Sequence, residues 1–302
     1  MKVTVAPKLL FDALVLPLRQ AEESWRIWRS SADLEHLDRT SFQFLPALAG
    51  RLTEWLADDP KQAILLGICR RAWSQNQLRK KVLTDAVQLL CDSGIDRVAA
   101  TGPALWGELY WPAGSIRPIT VIDLLIEPAS VPSALNVLGK VGWSISDHPP
   151  NSKDKGFPFA PATNLQSSLG GKLRVHWRAL PNTDLSLRRP EFPELITMPP
   201  GKVAPYAIPA EYSLAAVLGG NLDDAMDWRC DALMICSACD LDWLKIASLL
   251  RWRSSARNRL EELRPYSDQA IPLAVTGSSW TDPIERRVAS LLRTCRRLAK
   301  AR

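Results

Sequence analysis

The residue of this chain that is best suited to take part in chemistry is Asp123, a lone acid inside the apolar run 121–126. An ionised carboxylate in a buried strand is costly unless it is paired, protonated or bound to a cation. Upstream, the β-rich segment 97–101 ends at Gly102, and residues 104–110 have the composition of a short helix. The pattern therefore predicts a strand, a glycine turn, a helix and a second strand that carries the acid.

The segment 172–178, Lys-Leu-Arg-Val-His-Trp-Arg, is predicted to be another strand and contains further reactive residue types. Side chains two positions apart on a strand point to the same face, so Arg174 and His176 lie together. His176 is either a hydrogen-bonded strand histidine or a contact for a nucleotide phosphate or base. Arg174 brings positive charge to that face.

Two motifs carry a family resemblance: Thr-Gly-Pro-Ala-Leu at 101–105, and Arg-Pro-Ile-Thr-Val-Ile-Asp-Leu-Leu-Ile at 117–126. They resemble the core of the polymerase-β nucleotidyltransferase superfamily, and more closely its uncharacterised bacterial nucleotidyltransferase-like family. That core has Lys-Gly-x-Ala-Leu after a strand, and later Arg-Pro-x-x-Asp-x-Asp-Leu-Leu-Val. Further motifs at 67–78, 173–178 and 228–234 extend the resemblance over roughly residues 20–260, and with 117–126 they are its sharpest.

The resemblance implies transfer of a nucleoside monophosphate from an NTP, with two Mg²⁺ ions about 3.5–4 Å apart. The family holds these ions with an Asp-x-Asp pair and a third carboxylate on a neighbouring strand. Here Val121 stands at the first aspartate and Arg174 at the third carboxylate, so Asp123 remains as a remnant metal ligand. We expect Arg174 to neutralise Asp123 in place of the cations, at a separation below about 4 Å.

Around the glycine turn, the sequence departs from the family pattern at further positions and also keeps residues that could bind a phosphate or a metal. Thr101 replaces the family's lysine, and Pro103 supplies no N–H to a phosphate cradle. Gly102 keeps the tight turn that a phosphate requires. A rearranged metal site could instead use Glu127, which shares a strand face with Asp123, together with Glu108; its cofactors would be Mg²⁺ and an NTP.

Three arginines complete the nucleotide-binding candidates, Gly102, Arg174 and His176 being the others. Arg117 either faces a phosphate or belongs to a surface loop. Arg70 and Arg71 lie on the basic side of a predicted long helix, which either lines a phosphate cleft or is solvated.

The predicted fold class is α+β, with a small mixed sheet of nucleotidyltransferase topology flanked by helical regions. Its divisions are an N-terminal helical region (1–95), the α/β core (96–200) and a C-terminal helical region (201–302). Helical spacing over 61–92 ends at Gly94, as expected of a glycine just past a helix. The segments 148–164 and 181–209 are rich in proline and polar residues and are predicted to be loops. The segment 281–302 is a basic amphipathic tail.

Composition excludes few functions. The 302 residues are 46% hydrophobic and 23% charged, with a net charge of +6, which permits nucleic-acid, nucleotide or acidic partners. No apolar run approaches the ~20 residues that span a bilayer, so we expect a cytoplasmic protein without membrane contact. Cys236 and Cys239 have the spacing of zinc ligands, although two buried thiols on one helix explain them better.

Three function classes remain open. The first is a catalytically degenerate nucleotidyltransferase that binds a nucleotide or a protein partner and acts in regulation. The second is an active Mg²⁺-dependent enzyme that moves a nucleotide onto a small molecule, peptide or protein. The third is a nucleic-acid-binding module that uses the basic helix and tail.

Overall fold

A computed structural model of the chain describes residues 5–56, 58–146, 162–168, 170–180, 192–219, 226–250, 254–267 and 271. Within these residues the fold is mixed α and β, with helices around a seven-stranded mixed sheet. The predicted basic tail at 281–302 and most of the predicted loops lie outside the described residues. None of the described helices is both long enough and apolar enough to cross a membrane.

The N-terminal region is helical, as predicted. Its helices are α1 (Val5–Val15), α2 (Leu18–Ser31), α3 (Arg39–Ala47), α4 (Ala49–Trp55) and α5 (Gln62–Asp92). Gly94 ends α5 with a φ of +79°, and the Ile95 N–H donates to the Leu90 carbonyl at 3.0 Å. Helix α3 begins at Arg39. Its capping residue is Asp38, which accepts the Ser41 N–H at 2.9 Å.

The strands in chain order are β1 (Val98–Thr101), β2 (Ile122–Ile126), β3 (Trp143–Ile145), β4 (Ala162–Ser167), β5 (Lys172–His176), β6 (Ile196–Thr197) and β7 (Tyr206–Ala207). Their order across the sheet is β3-β4-β5-β2-β1-β7-β6. Strand β1 pairs antiparallel with β2 and parallel with β7, and β2 pairs parallel with β5. The mixed sheet is therefore confirmed.

Two predicted loops contain strands. Strand β4 begins at Ala162, inside the predicted loop 148–164, and pairs antiparallel with β5. Strands β6 and β7 fall in the predicted connection 181–209. These segments have weak β patterns of their own, and their backbone groups are satisfied by pairing with neighbouring strands of the sheet. Strand β7 also brings part of the predicted helical region 201–302 into the sheet.

The remaining helices follow the predicted order. They are α6 (Gly102–Leu109), α7 (Val131–Lys140), α8 (Ala210–Gly219), α9 (Trp228–Ala238), α10 (Trp243–Leu250) and α11 (Ser254–Leu263). Helix α10 is capped as expected, since Asp242 accepts the backbone N–H groups of Leu244 and Lys245 at 2.9 and 3.0 Å.

A buried ion pair fastens the loop before β2 to helix α9. Arg117 Nε and Nη2 donate to the two carboxylate oxygens of Asp231 at 3.0 and 2.6 Å. The indole N–H of Trp111 donates to the same carboxylate at 2.9 Å. From α5, the Asn76 side chain donates to the Arg117 carbonyl at 2.7 Å. The loop is thus bonded to both helical regions of the chain.

We predict that Asp231→Asn will lower the free energy of unfolding by about 3–5 kcal/mol, because it leaves a buried guanidinium without a counter-charge. The side chains of Arg117 and Asp231 are only 0% and 2% exposed. Urea denaturation measures the loss.

The matched control is Glu22→Gln, which breaks an exposed ion pair with Arg26. The Glu22 side chain is 37% exposed and the Arg26 side chain is 75% exposed. It should cost less than about 1 kcal/mol, because exposed pairs contribute little. Similar losses in the two variants would show that burial does not set the strength of the Arg117–Asp231 pair.

Candidate functional site

A row of polar residues crosses four adjacent strands of the sheet. The register sets Thr101 of β1 opposite Asp123 of β2, and sets Asp123 beside Arg174 of β5. Arg174 is in turn opposite Asn164 of β4. Residues in register across neighbouring strands have side chains on the same face, so the row forms one cluster.

Within this cluster, His176 makes the closest contact with Asp123. Nε2 of His176 lies 2.7 Å from Oδ1 of Asp123, at hydrogen-bond distance. Arg174 Nη1 lies 3.7 Å from the same oxygen, within the separation expected from the sequence. Arg174 Nε also donates to Asn164 Oδ1 at 3.0 Å, which fixes the guanidinium over the strand.

Burial differs between the acid and its two partners. The Asp123 side chain is 6% exposed, whereas those of Arg174 and His176 are 21% and 14% exposed. A buried acid is therefore covered by two basic groups that reach solvent. This arrangement compensates the cost of burying the carboxylate and holds the basic groups in fixed orientations.

The glycine turn closes against the same carboxylate. Gly102 has a φ of +67°, and a Cβ at this position would lie 2.5 Å from Oδ2 of Asp123. Oδ2 thus lies beside the first residue of α6, where the helix dipole favours a negative charge. By the resemblance, a phosphate would use this turn, but the protein's own carboxylate lies against it.

The side chains around Asp123 do not fit a pair of Mg²⁺ ions. Val121 offers no ligand, and Arg174 brings a positive charge to the place of a carboxylate. Glu127 is four residues along the strand, about 13 Å at a rise of 3.3 Å per residue, and its nearest cation is Arg97 at 4.0 Å. Among the described residues, no three or more His, Cys, Asp or Glu side chains are grouped so that they could hold a metal. The metal assignment of Glu127 alongside Asp123 therefore finds no support in the geometry.

The remaining acid and the cysteines are engaged elsewhere. Glu108 lies 3.5 Å from the ammonium group of Lys202. Burial raises the pKa of Cys236 to about 12, as expected of a thiol in apolar surroundings. Cys239 also has a pKa raised by burial. Both thiols therefore fit the reduced, structural role.

Three arginines predicted to bind a nucleotide do not join the Asp123 cluster. Arg117 is fully buried against Asp231, so its guanidinium holds α9 instead of facing a phosphate. Arg70 and Arg71 are exposed on α5, and in the described structure no hydrogen bond or ion pair connects them with Asp123. The structure brings together Gly102, Arg174 and His176 with Asp123.

Asn164 and the role of His176 as the closest partner of Asp123 were not predicted. His176 shares a strand with Arg174, and the period of two placed both on one face. The register pairs Arg174 with Asp123, and only the side-chain positions show that His176 makes the closer contact. Asn164 lies at the end of a segment whose composition predicted a loop. No signal in that segment could have identified it.

Comparison with known proteins does not identify a family for this chain. No protein-family model, no curated protein and no solved structure matches the chain. The functional argument therefore rests on the residues and contacts described above.

We predict that Gly102→Ala will lower the free energy of unfolding by more than about 2 kcal/mol, because an alanine is strained at this φ and its methyl group would meet Asp123. Gly67→Ala is the matched control, since a Cβ there meets nothing within 4 Å on α5. That variant should be neutral or stabilising by up to about 1 kcal/mol. A tolerated Gly102→Ala, measured by urea denaturation, would mean that the carboxylate does not lie against the turn.

Proposed function

We propose that this chain is a nucleotidyltransferase-like protein that no longer transfers nucleotides and acts by binding, with a nucleotide as its ligand. The observation that carries the proposal is the state of Asp123, the one acid left at the expected metal position. Its carboxylate contacts His176 and Arg174 and lies against Gly102, so it is already neutralised.

The sheet order supports the resemblance on which this proposal depends. The acid-bearing strand β2 lies between an antiparallel neighbour, β1, and a parallel neighbour, β5, which carries the residue at the third carboxylate position. A two-metal enzyme needs acids on both strands. Here the second strand contributes Arg174 and His176, which suit an anionic ligand better than a cation.

Binding by this cluster would not require a metal ion. Arg174 and His176 are partly exposed, and their contacts with the buried Asp123 carboxylate hold their side chains in place. The hydrogen bond to Asp123 uses Nε2 of His176, which leaves Nδ1 as the ring nitrogen for a ligand. A phosphate group could accept hydrogen bonds from the Arg174 guanidinium, whose positive charge would take the place of Mg²⁺.

We predict no nucleotidyl transfer by this protein. Incubation with each α-³²P-labelled NTP and Mg²⁺ or Mn²⁺ should label neither the protein nor added acceptors above the level found with Asp123→Asn. The physical reason is the missing second carboxylate. Metal-dependent labelling that disappears in Asp123→Asn would overturn the proposal and establish an active enzyme.

We also predict nucleotide binding that is independent of divalent ions. Calorimetric titration with ATP or GTP should give dissociation constants that agree within about twofold in Mg²⁺ and in EDTA. Arg174→Gln should weaken binding by about tenfold, the effect expected from the loss of a charged hydrogen bond.

Arg19→Gln is the matched control, because Arg19 is exposed on α2 and makes no contact with the cluster. It should leave the affinity unchanged. Binding that requires Mg²⁺, or that is insensitive to Arg174→Gln, would contradict a role for this cluster as the nucleotide site.

A further inference from the structure

A groove of about 690 Å³ lies between α5, the start of β2, the turn from α7 into β3, and the turn from β4 into β5. Its volume is in the range of sites for small organic ligands. Its walls are mainly apolar, with Val82 and Leu89 from α5, and Val141 and Trp143 from the turn into β3. Arg79 and Lys172 also line it, and Arg79 gives it positive charge.

This groove is separate from the Asp123 cluster. Ile122 lines the groove, whereas Asp123 is the next residue of the same strand. Consecutive side chains of a strand point to opposite faces of the sheet, so the two sites lie on different faces. An inference about the groove therefore does not depend on the function proposed for Asp123.

Arg79 is the unusual group in this groove. Its side chain is half-buried, and no described carboxylate forms an ion pair with it. Asp85, the acid that also lines the groove, is held by Lys81 at 2.9 and 3.0 Å. Burial lowers the pKa of Arg79, the direction expected when a cation loses water without gaining a partner. A bound anion would supply that missing partner.

Trp143 provides a flat aromatic wall. The ring packs closely over the β4–β5 turn, because a Cβ on Gly171 would lie 3.2 Å from its Cη2 atom. An aromatic surface and a cation in one groove suit a ligand that has a planar apolar body and an acidic group.

We infer that this groove binds a planar organic anion, with the ring of the ligand against Trp143 and its acidic group on Arg79. The apolar walls from α5 and the β3 turn would cover the rest of the ring. The chemistry is shared by aromatic carboxylates, aromatic sulfonates and nucleotides, and competition between them identifies the source.

The test uses the full chain and 8-anilinonaphthalene-1-sulfonate, an aromatic sulfonate, titrated by calorimetry and fluorescence. We expect saturable binding at one site, weakened about tenfold by Arg79→Gln through loss of a charged hydrogen bond. Trp143→Leu should also weaken binding, and Arg19→Gln should not. No saturable binding, or an affinity unchanged by Arg79→Gln, would overturn the inference.

A stability measurement separates a binding role of Arg79 from a structural role. Because the guanidinium is half-buried without a partner, Arg79→Gln should leave the melting temperature unchanged or raise it while affinity falls. A lower melting temperature in parallel with lost binding would mean that Arg79 supports the fold. Trp143→Leu then gives an independent check, because loss of the aromatic surface should weaken binding without changing the charge of the groove.

Competition against the bound sulfonate distinguishes the ligand sources. Displacement by 2-naphthoate but not by AMP supports a carboxylate ligand, and displacement by AMP supports a nucleotide in this groove. If AMP binds without displacing the sulfonate, and Arg174→Gln weakens that binding, the nucleotide occupies the Asp123 cluster and the groove takes the carboxylate. Failure of both competitors would count against a site for planar anions.

Discussion

The cost of keeping a carboxylate in the middle of a sheet governs the arrangement of this protein's central strands. Asp123 is buried on β2, and the surrounding groups all offset that cost: His176 by a hydrogen bond, Arg174 by its charge, and the start of α6 by its dipole. The requirement extends to the backbone, since Gly102 must lack a side chain for the carboxylate to lie against the turn.

The same physics is found a second time in the loop before β2. Asp231 of α9 is buried, and Arg117 and Trp111 donate hydrogen bonds to its carboxylate inside the core. The two acids differ in what lies above them. The partners of Asp123 reach solvent and can meet a ligand, whereas those of Asp231 are enclosed and hold helices together. The two buried acids therefore differ in role because the basic partners of Asp123 are exposed to solvent, whereas those of Asp231 are buried and stabilise the packing of helices.

Local patterns predicted the elements that carry their own signal. The long α5 with Gly94 after it, and the apolar strand around Asp123, could be found because periodicity and glycine chemistry act within a short segment. The short strands β4, β6 and β7 could not, because their composition is typical of loops and their backbone groups are paired only in the assembled sheet. At the site, the proximity of Arg174 and Asp123 followed from a resemblance, while the closer contact of His176 depended on side-chain conformation. The role of Arg117 could not be predicted from local sequence, because its partner Asp231 lies 114 positions away.

Strand β7 has a consequence for how the protein is made. It pairs with β1, so that Ala99 meets Tyr206 across a long stretch of chain. During synthesis β1 therefore remains an open edge, with unpaired backbone groups, until the residues of β7 leave the ribosome. Arg117 likewise waits for Asp231 before its charge is compensated. Contacts of this range slow folding, and the nascent chain depends on protection from aggregation over that interval.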